Sequence, residues 1–125
     1  MELTDLKRKV QAARRFAVEI DGRSFTLQRP SRFDMQMAAA QAGMANGDPG
    51  ARLHWERLVL LGAIVGWHGV MVADLGLPEA GPLDHDDGAV LLLLDAQPEW
   101  GDQLAQALWE RLAQASEVEG TAAKN

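Results

Sequence analysis

Phe16-Ala17-Val18-Glu19-Ile20 alternates apolar and polar residues, Asp21-Gly22 follows, and Arg23-Ser24-Phe25-Thr26-Leu27 alternates again. Asp-Gly between two alternating runs favours a type I′ turn, because both central residues need positive φ. The stretch therefore reads as a β-hairpin. Phe16, Val18 and Ile20 share one face, and Phe25 and Leu27 the matching face of the partner strand. A lone hairpin is marginal in water, so that face must lie on apolar helices further along the chain.

Those helices follow. Pro30 ends the second strand, and Ser31 reads as an N-cap with Asp34 three residues on. The helix so started runs through Met35 and Met37 to about Gly43. The stretch Gly43–Gly50 is dense in turn residues and reads as a loop. A second helix is expected from Ala51 to Val65, almost without a polar face after Leu58, so it is the central one. Gly66-Trp67-His68-Gly69-Val70 closes it, which places Trp67 in the core, and Met71 to Leu83 reads as a loop. Asp84 is expected to cap a third helix with a Val90, Leu91 and Leu94 stripe. Pro98 opens a fourth, in which Trp100, Leu104, Leu108 and Leu112 face inward. The fold class is mainly α with a small β part: an N-terminal β-hairpin packed on a bundle of about four helices.

Three segments follow from this reading. Residues 1–15 form a basic N-terminal arm, either frayed or helical on a stripe of Leu3, Leu6, Val10 and Ala13. Residues 16–116 form a single α-rich domain, and 117–125 a flexible polar tail. At 125 residues, one domain fits and two full-sized ones do not.

The composition narrows the chemistry. With no Cys there is no disulfide framework, thiolate zinc site or cysteine nucleophile. Tyr is absent and the serines are Ser24, Ser31 and Ser116, of which Ser31 is committed to capping. Asp84-His85-Asp86-Asp87 gathers potential ligands, but consecutive positions at a helix start diverge, so an acidic N-terminus is the simpler reading. Neither metal nor cofactor is expected. The first ten residues lack an apolar core of a secretory signal, and the apolar window 58–73 is shorter than a spanning helix, so no membrane partner is expected.

Net charge is −6, unevenly placed: residues 1–32 carry +4 and residues 33–125 carry −10. An acidic body repels phosphates, which argues against a nucleic acid partner. The same polarity suits self-association. Four of seven aromatic residues are Trp; Trp67 and Trp100 fall on apolar stripes, whereas Trp55 and Trp109 fall off them. Trp55 and Trp109 are thus either half-buried or anchors for a protein partner.

The order of "FTLQRPSRFDMQMA" (25–38), "VGWHGV" (65–70), "QPEWGDQLAQAL" (97–108) and the terminal "KN" resembles the tail assembly chaperones of long-tailed bacteriophages, over residues 16–125. The resemblance implies a non-enzymatic protein of the host cytoplasm, not expected in the mature virion. It would bind the tape measure protein and help recruit the major tail protein. The alternative is a structural tail or head–tail completion protein that stays in the particle. The family resemblance also implies a longer frameshifted product if Ala123-Lys124-Asn125 is encoded by a slippery run of bases; otherwise Lys-Asn is simply a solvated end.

Overall fold

A computed structural model describes the backbone of residues 1–124 and the side chains of residues 1–115. The chain runs α1 (Leu3–Ala13), β1 (Arg15–Ile20), β2 (Arg23–Gln28), α2 (Arg32–Ala42), α3 (Ala51–Ala63), β3 (Ile64–His68), α4 (Asp87–Ala96) and α5 (Pro98–Lys124). Single turns of tighter helix cover Met44–Asn46 and Val72–Leu75. The architecture is mainly α with one small antiparallel sheet, ordered β1-β2-β3.

The hairpin forms as its residues dictate. Asp21 and Gly22 both take positive φ, 49° and 81°, and Phe16 pairs with Leu27 and Val18 with Phe25. Ile20, Phe25 and Leu27 are buried, with Phe16 and Val18 packed beside them. At the start of α2, the Ser31 hydroxyl accepts from the Asp34 N–H at 3.0 Å. The Asp34 carboxylate accepts from the Ser31 N–H at the same distance. The reciprocal pair satisfies two donors that the first helical turn would otherwise leave without partners.

The central helix is shorter than its apolar run suggests. It ends at Ala63, and Ile64–His68 leaves directly as β3, pairing antiparallel with β2. The sheet therefore has three strands rather than the two of a hairpin. Phe25 pairs with Trp67 and Thr26 with Gly66, while Leu27 pairs with Ile64, so Val65 bulges. Ile and Val favour the pleated surface, and the open edge of β2 supplies the ladder that ends the helix. Trp67 consequently stands on a strand and is half-buried; its indole N–H donates to the Leu83 carbonyl at 2.7 Å.

Three other expectations shift. The cap of α4 is Asp86, which accepts from the Ala89 N–H at 2.7 Å, and not Asp84. His85 is held outside the helix by a 2.9 Å hydrogen bond to the Ile64 carbonyl and by edge contact with Trp67. The inward residues of α4 are Ala89, Val90 and Leu93, with Leu94 beside them. In α5, by contrast, Trp100, Leu104 and Leu108 are buried in the order the sequence predicts. The backbone of α5 continues to Lys124, past the Ser116 boundary given by the sequence. Glu117, Glu119, Ala122 and Ala123 are strong helix formers and no Pro intervenes. The side chains of the tail at 117–125 lie outside the described residues.

Phe25 sits at the centre of the core, its ring edge-on to Trp67 and Trp100 at 6.2 and 6.1 Å. Arg23 at the hairpin end reaches across to Asp74. Its Nε donates to one carboxylate oxygen at 3.1 Å and its Nη2 to the other, while its guanidinium lies 4.7 Å from the Trp100 ring centre.

Candidate protein-interaction surfaces

Trp55 on α3 and Trp109 on α5, distant in sequence, are brought face to face. Their rings stack at 5.2 Å with 12° between planes. Both are half-buried against the core, and the buried Trp55 indole N–H has no hydrogen-bond partner among the described residues. The pair therefore acts first as a bolt between α3 and α5. Trp109 also lines a cleft of about 550 Å³ together with Glu56, Asp102 and Glu110. The cleft continues past Leu53, Leu60 and Leu94, and Leu53 is 74% exposed. At its side Arg57 pairs with Asp95 at 2.7 Å. The hydrogen bond from Arg57 holds the Asp95 carboxyl below its ordinary range.

A second surface escapes sequence reasoning. Helix α2 turns Ala38 and Ala42 into the core, with Met35 beside them. Its opposite face is also apolar: Phe33 is 67% exposed and Met37 45%, and Met44, exposed in the short turn after the Gly43 cap, lies just past the helix end. Phe33, Met37 and Ala40 fall on one side of a 3.6-residue helix, and Gln36 and Gln41 flank them without charge. Beside Met37 opens a cavity of about 270 Å³ lined by Pro30, Ala38, Leu58 and Val59 together with the polar Gln28, Arg29, Asp34 and Gln41. The signal was present as Phe33–Met37 at i, i+4, out of phase with Met35–Ala38–Ala42. The sequence places Met35 and Met37 in one helix, and only its packing on α3 separates the buried from the exposed apolar face.

Helix α1 is formed, and each residue from Met1 to Ala13 is exposed. Its stripe of Leu3, Leu6 and Val10 covers nothing buried. Among the described residues, no group of three or more acidic or histidine side chains converges to hold a metal ion, and no helix is long and apolar enough to cross a membrane. Comparison with known proteins brings no match to a family model, to a curated protein or to a solved structure.

Proposed function

We propose that this chain is a non-enzymatic phage tail assembly chaperone that holds amphipathic helices of the tape measure protein on the outer face of α2. The observation that carries the reading is the doubly apolar character of that helix: one face fills the core, and Phe33 and Met37 still stand in solvent. An exposed apolar patch of this kind favours a protein partner. The flexible thioethers of Met37 and Met44 adapt to varied apolar surfaces, which suits a client with many related helices. The neighbouring cavity, walled by both apolar and polar residues, is large enough to receive one side chain from such a helix. The acidic body keeps the complex soluble and leaves other surfaces for the major tail protein. The resemblance of residues 16–125 supports the same reading.

Co-expression with the tape measure protein tests it. Phe33→Glu with Met37→Glu touches no buried residue of α2 and should leave the melting temperature near wild type while abolishing solubilisation of the client. Full solubilisation by that variant overturns the reading. Mass spectrometry of purified particles separates it from a structural tail component, which would be present there in stoichiometric amount.

A further inference from the structure

Helix α1 is a short amphipathic helix whose apolar stripe no buried contact covers among the described residues. An isolated helix of its eleven residues is marginal in water, so its apolar stripe of Leu3, Leu6 and Val10 needs a surface. Lys7 and Lys9 fall on either side of that stripe by helical periodicity. The arm 1–15 also holds Arg8, Arg14 and Arg15 against only Glu2 and Asp5. Glu2 and Asp5 fall on the Lys9 side by the same periodicity, so the more cationic edge is that of Lys7, and what would cover α1 is an apolar trough that carries carboxylates.

The cleft between α3 and α5 has that form. It is lined by Ala105 and Trp109, continues past Leu53 and Leu60, and carries Glu56 from one helix and Asp102 and Glu110 from the other. Of these, Glu56 has a loose contact with Arg52 at 3.8 Å; Asp102 and Glu110 are exposed. We infer that α1 of one copy lies in the α3–α5 cleft of a second copy, Leu3, Leu6 and Val10 downward and Lys7 and Lys9 within reach of Glu56, Asp102 and Glu110. The same copy is not the occupant, because only Arg14 separates α1 from β1. That junction is pinned where the Arg14 carbonyl accepts from the Arg29 N–H at 2.9 Å, so no linker lets α1 fold back.

Such a contact joins two different surfaces of the chain. It is heterologous and builds a ring or an open chain of copies rather than a two-fold dimer. Opposite charge speeds and orients the docking, and added salt weakens it. The inference stands apart from the chaperone reading, since Phe33 and Met37 take no part in it.

Sedimentation of the full chain from micromolar to millimolar concentration is the test. Wild type should rise above monomer mass with concentration and fall back with salt. Leu6→Ser with Val10→Ser alters only exposed residues and should be monomeric with an unchanged melting temperature. Lys7→Glu with Lys9→Glu, and separately Asp102→Lys with Glu110→Lys, should each be monomeric alone and associate when mixed, since reversed helix then meets reversed cleft. A wild type that stays monomeric throughout overturns the inference. So does a Leu6/Val10 variant that associates as wild type, or a pair of folded charge-reversed variants that ignore each other. Monomeric protein whose α1 instead binds anionic vesicles overturns it in favour of a lipid surface.

Discussion

Asp74 is buried, and both of its carboxylate oxygens have donors: Arg23 reaches each of them, and the Met71 N–H adds a bond of 2.8 Å. Burial alone would push this carboxyl up, but the bonds from Arg23 and Met71 and the guanidinium charge outweigh it and hold it below its ordinary range. A carboxylate depressed in the folded chain stabilises above the unfolded value, about pH 4, and loses that contribution as pH falls through the folded one. Asp74→Asn should thus cost about 2 kcal/mol at pH 7, the worth of a charged hydrogen bond. It should also lessen the loss of stability between neutral and acid pH. Chemical denaturation of both proteins at pH 7 and pH 3 checks this, and an unchanged difference would show that the pair contributes nothing. Gly69 offers a simpler test. Its φ is 85°, and an added Cβ would lie 3.3 Å from the Gly22 carbonyl oxygen in the hairpin turn. Gly69→Ala should cost about 1–2 kcal/mol through strain, visible as a lower melting temperature.

Among elements, β3 carries the most consequence for the core. Trp67 on that strand packs on Phe25 and His85 and donates to Leu83. Half-buried rather than enclosed, it should cost about 3 kcal/mol as Trp67→Ala, the lower end for a large aromatic. The α3–α5 bolt is testable by a double-mutant cycle on Trp55 and Trp109: a stacked pair should couple by about 0.5–1.5 kcal/mol, and strict additivity would mean the rings merely adjoin. Features with local causes were legible in the sequence, namely the Asp21-Gly22 turn, the Ser31–Asp34 cap and the inward rhythm of α5. The register of β3 was not, because Ile64-Val65-Gly66-Trp67 is apolar in either conformation and only pairing with β2 decides it. Asp84 and Asp86 are equally good caps by type, and the bond from His85 to Ile64 chooses between them. Trp55 and Trp109 were visible singly as residues off their stripes, yet their stacking depends on how α3 meets α5.

At the scale of the whole molecule, α3 is the keel against which α2, α4, α5 and the sheet all pack. Both proposed surfaces border it: the α2 face with its cavity reaches Leu58 and Val59, and the cleft reaches Leu53 and Leu60. Leu60→Ala, at a buried position, should cost about 3 kcal/mol and weaken client binding and self-association together. Substitutions at Phe33 and at Asp102 should separate them.

The direct passage from α3 into β3 also bears on how the chain folds. Phe25 and Trp67 are neighbours in the sheet but stand 42 positions apart, with α2 and α3 between them. The hairpin and each helix can form from nearby residues, whereas the third strand joins only after that long loop closes, and closure entropy must be met before the ladder rewards it. Sheet completion then belongs to the slow, late part of refolding, and until it happens the inner edge of β2 is open to any extended chain. On the ribosome, the interval between synthesis of Gln28 and of His68 is when this protein is most exposed to mispairing.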